Sequence, residues 1–486
     1  MILTDLLHKQ IIKKLRMDNP WWETGHIFDD FASMQKRLYF NVFYPLVIDL
    51  SIRRTLILMG PRRVGKSVML YHTIQQLIED GVNPRNILYA SVDTPLYNGI
   101  SLEDMLNMAQ EASGNEDNKQ QFYVFFDEIQ YLKSWEQHLK SLTDSYRNCR
   151  FVASGSAAAA LKQKSNESGA GRFTDFMLPP LTFAEFVKLK KHNDMVEAKD
   201  IQWQGADTQI TTAKDIEAFN RLFLEYINYG GYPEVAFSET IQANPGQFIR
   251  HDIIDKVLLR DLPSLYGIQD VQELNTLFTV IAYRSGEEFS YENLSKESGV
   301  KKDTIKKYIA YLEAAFLIRV VHKVDENAKH FKRATSFKIY LTNPSLRCAL
   351  FQPLQPQDHE MGNMVETTIF AQWIQRPGSQ VYYSNWKLGR NNGEVDLVGL
   401  NSATQKPLWA VEIKWTDRFY EKPEELESLR TFMQNNHLEM AVITSKTAEG
   451  EKDYSAGKLL FIPSALYAYT VGENTFKQQK SEIGMW

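Results

Sequence analysis

The stretch Leu56–Leu70, LILMGPRRVGKSVML, decides the fold of this chain. It passes from an apolar strand through a short glycine-containing loop directly into a helix, and it contains the complete pattern G-x-x-x-x-G-K-[ST] in the context that the pattern requires. Backbone N–H groups of such a loop, together with the positive end of the helix, bind phosphate oxygens. The stretch predicts a phosphate-binding loop formed by Gly60, Pro61, Arg62, Arg63, Val64, Gly65, Lys66, Ser67 and Val68.

Two side chains of this loop carry its chemistry. Lys66 is predicted to contact the β- and γ-phosphates of a nucleotide, and the Ser67 hydroxyl is predicted to bind Mg²⁺. The alternative is a glycine-containing turn that precedes a helix and binds nothing. The fit of the whole pattern between a strand and a helix favours the nucleotide site. The loop recognises phosphates, so the motif does not distinguish adenine from guanine nucleotides.

An acidic pair follows a second apolar strand, in QFYVFFDEIQYL at residues 121–132. The apolar run predicts a central parallel strand that is buried on both faces, and open α/β sheets bind ligands at the carboxyl ends of their strands. We therefore predict that Asp127 holds Mg²⁺, usually through water, and that Glu128 polarises the water that attacks the γ-phosphate. The alternative role of the two acids is to cap the following helix.

Two further polar positions are candidates for the same site. The strand RFVA ends in Ser154, Gly155 and Ser156, and a hydroxyl there would sense the γ-phosphate; Ser156 or Ser154 is the candidate, and strand-end capping is the alternative. Arg172 follows a polar segment that is rich in small residues. Arg172 is a candidate arginine finger, acting in cis or from a neighbouring subunit. A surface ion pair is the alternative role of Arg172.

Composition sets the broad class of the protein. The chain has 486 residues, which suggests about three domains, and its net charge of −5 restricts any nucleic-acid contact to local basic patches. Two cysteines form neither a disulfide framework nor a zinc cluster. There is no signal-peptide pattern and no run of about 20 apolar residues. We therefore expect a cytoplasmic protein without a membrane partner.

The segments GPRRVGKS, FFDEIQ, SGS and GRF…LPPLTFAEF occur in that order along the first 190 or so residues. In this they resemble the AAA+ superfamily, specifically the bacterial and archaeal ATPases of the AAA_14 type whose C-terminal part is the domain DUF4143. The segments GGYPEV and RDLPSLYGI resemble those that join the two halves of these proteins. The resemblance implies ATP as the nucleotide, a helical lid and a ring or dimer, with the DUF4143 region at about 230–470.

The pattern of the chain predicts an α/β protein with five segments. These are an N-terminal helical segment (1–40), a P-loop NTPase core with an AAA+-like parallel sheet (41–187), a helical lid and linker (188–285), a winged helix-turn-helix (286–345) and a nuclease-like α/β domain (346–486). One face of the first helix is predicted to carry Leu6, Leu7, Ile11, Ile12 and Leu15. Residues 197–214 are polar and predicted to be an irregular, exposed insertion.

The predicted winged helix-turn-helix rests on YENLSKESGV and KKDTIKKYIAYLEAAFLIRVV, a short helix that ends at Gly299 and a longer one that runs into a strand. Apolar positions of the longer helix share one face: Ile305, Tyr308, Ile309, Leu312 and Phe316. Four lysines lie off that face: Lys301, Lys302, Lys306 and Lys307. Contact with DNA phosphates is one interpretation. The other is a solvated lysine face on a domain that binds protein or only connects.

The last third of the chain contains a second set of chemical residues. Glu366 lies in a helical pattern, Asp396 in the strand EVDLV, and Glu412 and Lys414 lie two apart in VEIKW, on one face of a strand. Two acids and a lysine on adjacent strands can bind Mg²⁺, position water and stabilise a phosphate transition state. The arrangement D-x15-E-x-K resembles the PD-(D/E)xK nucleases. It implies Asp396 and Glu412 as metal ligands, with Glu366 as the helix acid, and the alternative is a salt-bridged strand pair.

Four residues upstream of this set are candidates for contact with nucleic acid. Tyr383 and Trp386 could stack on bases, while Lys387 and Arg390 could meet phosphates. The alternative is strand packing and a solvated turn.

Two functions are compatible with these patterns. In the first, ATP drives or gates action on nucleic acid, in defence or DNA maintenance. In the second, a nucleotide-switched signalling module uses a non-catalytic nuclease-like domain to dock a partner. The filled acid set favours the first, and the negative net charge favours the second.

Overall fold

Five parallel strands form the sheet that carries the phosphate loop in the computed structural model. The structure describes residues 2–115, 120–155, 171–203, 206–324, 336–374, 380–388, 391–401 and 403–482. The strands are β1 (Thr55–Met59), β2 (Ile87–Ser91), β3 (Phe122–Asp127), β4 (Cys149–Gly155) and β5 (Phe173–Met177). Their order is β2-β3-β4-β1-β5, and every pairing is parallel.

Strand β4 lies between the strand of the phosphate loop and the strand of the acidic pair. Leu58 of β1 pairs with Ser154 of β4, and Phe126 of β3 pairs with Ala153. All residues of β1 and β3 are buried, as expected for parallel strands that are covered on both faces. Because the strands are parallel, their carboxyl ends meet at one edge of the sheet, where three loops converge.

Helices flank this sheet. They span Ile2–Asp18, Trp21–Thr24, Asp29–Ala32, Phe40–Ile48, Lys66–Glu79, Leu102–Ser113 and Trp135–Ser145, with short 3₁₀ turns at Pro84–Asn86, Pro95–Tyr97 and Ile129–Tyr131. The helix after the loop ends at Glu79, and Gly81 just beyond it has a left-handed conformation (φ 92°) that is typical of helix ends.

The N-terminal segment differs from the prediction in two ways. Pro20 and the left-handed Gly25 interrupt it, so it forms separate helices. The prediction of one apolar face also needs correction, because Ile11 is buried but Leu6 and Leu7 are 55% and 42% exposed. At 3.6 residues per turn, Leu6 lies about 140° around the helix from Ile11 and cannot share its face.

The chain divides into two compact units, Met1–Pro179 and Pro180–Trp486. The predicted boundary after residue 187 lies beyond this point, because the helix Phe183–Leu189 belongs to the second unit. The side chains of Phe183 and Phe186 are fully buried there against the helix Ile216–Tyr229. The predicted lid, winged helix and nuclease-like segments therefore share one compact unit.

A β-hairpin occupies the region that was predicted to be irregular. Strands β6 (Val196–Trp203) and β7 (Ala206–Ala213) pair antiparallel. The prediction of an irregular segment is wrong, because backbone hydrogen bonds between the two strands order it. Val196 and Ala213 at the base of the hairpin pack against the core of the second unit.

Three helices and a three-stranded antiparallel sheet follow the helical linker. The linker contains Ile216–Tyr229, Pro233–Ala236, Glu239–Ala243, two stretches of π-type hydrogen bonding at Gly246–Asp255 and Val257–Asp261, and Leu262–Tyr266. The three helices are Val271–Tyr283, Tyr291–Ser298 and Lys302–Ala314; the strands are β8 (Glu288–Ser290), β9 (Ile318–Val321) and β11 (Ser336–Leu341), in the order β8-β11-β9.

The longer helix of this group has the predicted buried face except at its end. Ile305, Ile309 and Leu312 are buried, and Gly299 (φ 74°) ends the helix before it. Phe316 lies beyond the last helical residue, in a left-handed conformation, and is half-buried.

A seven-stranded mixed sheet forms the rest of the second unit. Its strands are β10 (Lys323–Val324), β12 (Val381–Leu388), β13 (Asn391–Leu400), β14 (Pro407–Glu412), β15 (Met440–Ser445), β16 (Gly450–Tyr454) and β17 (Gly457–Pro463), in the order β10-β12-β13-β14-β15-β17-β16. The accompanying helices are Ser345–Leu350, Met361–Ile374, Arg418–Glu421, Glu427–Asn436 and Ser464–Glu482. Neighbouring residues such as Ala410 and Val411 of β14 enter different apolar clusters, so both faces of the sheet are covered.

No helix among the described residues combines the length and the apolar character needed to cross a bilayer.

Candidate functional sites

The phosphate loop takes its shape from two glycines. A Cβ atom on Gly60 would lie 2.1 Å from the carbonyl oxygen of Leu178, so a side chain cannot be accommodated there. Gly65 has φ 92°, a left-handed conformation that favours glycine, and it begins the helix Lys66–Glu79. The loop therefore turns tightly enough for its backbone N–H groups to converge on one ligand.

Lys66 lies inside the loop. Its side chain is buried, and its Nζ donates hydrogen bonds to the carbonyl oxygens of Gly60 (3.1 Å) and Pro61 (2.8 Å). The Arg62 guanidinium donates to the hydroxyl of Tyr131 (2.9 Å). The Lys66 ammonium is thus held at the centre of the loop, within reach of a phosphate group that the loop would bind.

The Asp127 carboxylate is the centre of a hydrogen-bond network at the edge of the sheet. It accepts hydrogen bonds from the hydroxyls of Ser67 (2.6 Å) and Tyr89 (2.9 Å), from the hydroxyl of Ser154, and from the backbone N–H of Glu128 (3.1 Å). The fold thereby joins the two residues that the sequence assigned to Mg²⁺. A serine hydroxyl and a carboxylate in contact are hard oxygen donors of the kind that Mg²⁺ selects, so this pair fits the ion.

Glu128 has the position and the environment of a base. It sits at φ 54°, a strained conformation for a residue other than glycine. Burial raises the pKa of its carboxyl group, while the nearby Lys66 ammonium lowers it; the net direction is upward. The Gln130 side-chain amide donates to Glu128 Oε2 and orients the carboxylate. A carboxylate with a raised pKa accepts a proton from water more readily.

Of the two serines proposed for the neighbouring strand end, Ser154 is the one that the structure describes in the site. It is fully buried; its hydroxyl donates to Asp127 and lies 3.3 Å from the backbone N of Glu128. Ser156 lies outside the described residues, and its role stays a prediction.

Arg172 does not reach the phosphate loop of its own chain. It precedes β5 at the amino edge of the sheet, where its backbone carbonyl accepts from Thr55 N, whereas the loop follows the carboxyl end of β1. Five strand residues, about 16 Å, separate the two edges. Its guanidinium pairs with Asp144 (2.6 Å). An arginine finger in cis is therefore wrong for this conformation, and the surface ion pair is observed; action in trans stays a prediction.

The second unit brings together the four residues predicted in its sheet and helix. Leu397 pairs with Val411 across β13 and β14, so the next position in the register places Asp396 opposite Glu412. Lys414 follows β14, and its Nζ lies 2.7 Å from Glu412 Oε1 and 3.4 Å from Asp396 Oδ2. The backbone N–H of Ile413 also donates to Asp396 (2.7 Å). The salt-bridged pair that the sequence left as the alternative is thus present within the larger acid set.

Glu366 has partners that the sequence did not reveal. Its Oε1 accepts from Lys338 Nζ (2.9 Å) and from the hydroxyl of Tyr340 (2.6 Å). Lys338 also pairs with Glu394 of β13 (2.7 Å), and its side chain is only 4% exposed. Both partners come from β11, SFKIYL, in which a lysine lies among apolar residues. The lysine in the middle of this otherwise apolar strand was the sequence signal that could have revealed a buried acidic partner.

Burial and mutual repulsion alter how these acids titrate. Burial and the nearby Asp396 charge raise the pKa of Glu412 to about 7. Burial raises the pKa of Glu366 as well, against the opposing charge of Lys338. The pKa of Asp396 is lowered, because the Lys414 and Lys338 ammonium groups outweigh its burial. The pKa of Lys414 is raised by the two carboxylates beside it despite its burial, so Lys414 remains a cation.

The carboxylates of this cluster fit a magnesium ion held by two acids. Glu412 Oε2 is buried and accepts no hydrogen bond from the described residues. Asp396 and Glu412 lie opposite each other on adjacent strands, and Mg²⁺ is commonly held by one or two carboxylates together with waters and substrate phosphates. Groups of three or more His, Cys, Asp or Glu side chains arranged for a metal are absent from the described part of the chain.

Glu412→Gln is expected to stabilise the protein at high pH. A carboxylate whose pKa rises from 4.5 to about 7 on folding makes a stability contribution that is complete below pH 4.5 and is lost as the pH rises through 7. The neutral amide avoids this loss, so the variant should gain about 1–3 kcal/mol at pH 8 and almost nothing at pH 4. Urea denaturation at both pH values measures this. An equal gain at both would contradict the assignment.

The aromatic residues proposed to stack on bases are packing residues. Tyr383 is fully buried, with the Lys338 ammonium 5.4 Å from the centre of its ring, and Trp386 is buried against Phe432. The base-stacking prediction is therefore wrong for both, because neither ring offers a face to solvent. The side chain of Lys387 and all of Arg390 lie outside the described residues.

The lysines of the helix Lys302–Ala314 are exposed. Lys301 and Lys307 lie in solvent, Lys302 pairs with Glu292, and Lys306 lies 3.8 Å from Asp303. The helix therefore presents a basic surface that is partly neutralised by acids from its own unit.

In the first unit, a lysine inside the phosphate loop faces two acids and a buried serine from adjacent strand ends, which is the arrangement of a P-loop ATPase domain. Residues 52–187 match the model of the AAA domain family (AAA_14). Residues 220–357 match a domain of unknown function, DUF8612. The resemblance to DUF4143 stays a prediction.

The similarity between this chain and its relatives extends beyond the residues that match the AAA domain family. An uncharacterized protein of Haemophilus influenzae is 25% identical over 326 residues, which cover 66% of this chain and 74% of that protein. An uncharacterized protein of Methanocaldococcus jannaschii is 24% identical over 347 residues, 70% of this chain and 71% of that protein. The solved structure of a Walker-type ATPase of Pyrococcus abyssi is 13% identical and covers 62% of this chain and 91% of its own, with a TM-score of 0.34.

Proposed function

We propose that the chain is a Mg²⁺-dependent ATPase whose nucleotide state controls a nuclease-like domain that acts on nucleic acid. The observation that carries the ATPase half is the network in which Ser67, Ser154 and Glu128 all bind the Asp127 carboxylate. The match to the AAA domain family supports ATP as the nucleotide. A winged helix-turn-helix at 286–345 would bring the nucleic acid to the second site.

The residues of the first unit divide the hydrolysis reaction among them. Lys66, already held inside the loop by two carbonyl oxygens, exchanges these contacts for phosphate oxygens. Ser67 and Asp127 hold Mg²⁺, and Glu128 accepts the proton of the attacking water. Bound Mg²⁺ supplies positive charge to phosphate oxygens on which negative charge develops.

The residues of the second unit suit hydrolysis of a phosphodiester bond. Lys414 stays protonated, so its role is to stabilise negative charge on the phosphate rather than to act as a base. Asp396 and Glu412 hold the cation. Lys338 and Tyr340 orient the Glu366 carboxylate. Its proposed role is to position the attacking water.

Lys66→Ala is expected to abolish nucleotide binding, because it removes the charge that the loop encloses. Binding of a fluorescent ATP analogue to the full chain with Mg²⁺, with thermal unfolding as a check of the fold, measures this. Lys36, an exposed lysine of the same unit that bonds Gln76 (2.8 Å), provides the matched Lys36→Ala control. Equal ATP affinity in wild type and Lys66→Ala would rule out the proposed nucleotide site.

A nucleotide-switched docking module is the second candidate function. The observation that favours it is that the Lys414 ammonium already binds both Glu412 and Asp396, which also suits a purely structural ion-pair cluster. In this case the second unit would bind a partner without cleaving nucleic acid. The two functions differ in their salt dependence, because contacts to nucleic-acid phosphates weaken steeply with salt.

Replacing Lys301, Lys302 and Lys307 with serine is expected to weaken DNA binding and to flatten its salt dependence. Each lysine that binds a DNA phosphate adds about one to the slope of log K against log salt. The slope of the triple variant should therefore be shallower by about two to three. Fluorescence anisotropy with a labelled duplex between about 50 and about 300 mM salt measures this.

The control for this experiment is a triple serine variant of Lys191, Lys406 and Lys422, which are exposed lysines elsewhere in the second unit. It makes the same change of net charge, so it should keep the wild-type slope. If both triple variants behave alike, the basic helix is not the DNA-binding surface. Absence of salt-dependent binding by the wild type would favour the docking module.

A further inference from the structure

Arg37 is a buried arginine that contacts the phosphate loop from outside the matched AAA region. It lies between the helices Asp29–Ala32 and Phe40–Ile48, before residue 52, where the AAA match begins. Its side chain is 6% exposed. One terminal nitrogen donates to the carbonyl oxygen of Val64 (2.6 Å), and the other donates to that of Pro179 (3.0 Å).

The contact with Val64 fixes the direction of one peptide group in the loop. Val64 lies between Arg63 (φ 63°), whose left-handed backbone is strained for a residue other than glycine, and Gly65 (φ 92°). In a planar trans peptide the carbonyl oxygen and the following N–H point in opposite directions. When Arg37 holds the Val64 carbonyl, the N–H of Gly65 must point away from Arg37. Backbone N–H groups of this kind are what a phosphate-binding loop uses to hold phosphate oxygens.

The contact with Pro179 ties this peptide to the strand that borders β1. The backbone N–H of Leu178 donates to the carbonyl of Met59 (2.7 Å), and the Leu178 carbonyl lies against Gly60. The segment 178–179 therefore supports the start of the loop directly and its middle through Arg37. Both ends of this support belong to the first unit.

We propose that Arg37 is a positioning residue of the nucleotide site, which holds the phosphate loop in its ligand-binding shape through the Val64 peptide. The proposal rests on the proposed ATPase function. It extends the nucleotide site to the segment before the AAA match, so residues 52–187 alone would bind nucleotide weakly.

Arg150 provides a matched control. It is also buried, and it also donates to backbone carbonyls, those of Ile52 (3.0 Å), Arg54 (2.7 Å) and Leu46. These contacts lie at the amino edge of the sheet, at the opposite end of β1 from the loop. A general loss of stability is therefore expected from both arginines, and a loss of nucleotide affinity only from Arg37.

The test measures the affinity of the full chain for a fluorescent ATP analogue with Mg²⁺ in Arg37→Met and Arg150→Met. We expect Arg37→Met to raise the Kd by about 10- to 100-fold, the loss typical of removing a hydrogen bond from a charged donor. Arg150→Met should keep the wild-type Kd at a similar loss of Tm. If the methionine variants do not fold, Arg37→Lys and Arg150→Lys replace them, and only the first should raise the Kd. Equal Kd values in both members of a pair would overturn the proposal.

Amide hydrogen exchange without nucleotide separates failure of this proposal from failure of the proposed function. In Arg37→Met or Arg37→Lys, exchange should accelerate across residues 60–66, which the Arg150 variants leave unchanged. If the wild type binds no ATP but exchange in the loop responds to Arg37, the ATPase function fails and the support of the loop stands. Unchanged exchange in the loop overturns the role of Arg37 whatever the nucleotide result.

Discussion

Glu128→Gln is expected to keep ATP binding and to reduce ATP turnover by at least about 100-fold, the lower end of what a general base contributes. The amide has nearly the same shape, so Lys66 and the loop should still hold the nucleotide. It cannot accept the proton of the attacking water. Phosphate release at saturating ATP, together with binding of a fluorescent ATP analogue, measures the two effects separately.

Glu136→Gln is the control for this variant. Glu136 is a buried glutamate in the next helix, Trp135–Ser145, and its substitution should leave turnover unchanged. Hydrolysis at the wild-type rate in Glu128→Gln would remove Glu128 from its role. A parallel loss of binding and turnover would instead indicate that Glu128 supports the loop.

Asp396→Asn is expected to abolish cleavage of nucleic acid, because the cation would lose the charge of one of the two carboxylates proposed to hold it. Asp396 lies opposite Glu412, accepts from Lys414 and from the Ile413 backbone, and is the acid whose pKa is lowered. The amide removes the negative charge while its oxygen can still accept the Ile413 bond. Gel assays with single- and double-stranded DNA and RNA, in the presence of ATP and Mg²⁺, measure cleavage.

Asp417→Asn is the control for this experiment. Asp417 accepts hydrogen bonds from the backbone N–H groups of Lys446, Thr447 and Ala448, so its substitution should lower stability and preserve cleavage. A wild-type protein that leaves all four substrates intact would contradict the nuclease half of the proposal. Cleavage that survives Asp396→Asn would show that it arises elsewhere.

The local sequence was sufficient to predict the phosphate loop and the acids at the strand ends of the sheet. The loop is one contiguous stretch, and its glycines, lysine and serine are set by chain geometry within eight residues, 60–67. The Asp127 and Glu128 pair followed from an apolar run and the rule that parallel strands end at one edge. In the second unit, the spacing of two residues was enough to predict that Glu412 and Lys414 meet, although β14 ends at Glu412 and Lys414 lies just beyond the strand.

Contacts between distant segments were not predictable in this way. The sequence left Ser154 and Ser156 as alternatives, and the register of β4 against β3 places Ser154 beside Asp127. The sequence left Arg172 as a candidate arginine finger. The position of β5 places Arg172 at the amino edge of the sheet, away from the phosphate loop. For Tyr383 and Trp386 the sequence left base stacking and strand packing open, because the burial of a ring depends on the distant segments that fold against its strand.

The sequence by itself determined the phosphate loop, the acidic strand and the identity of the second acid set. Tertiary structure alone decided which distant side chains complete them: Arg37 behind the loop, and Lys338 and Tyr340 beside Glu366. The reason is physical. A backbone turn and a strand alternation are fixed by neighbours in the chain, whereas a buried cation is stable only where folding brings carbonyl or carboxylate oxygens to it.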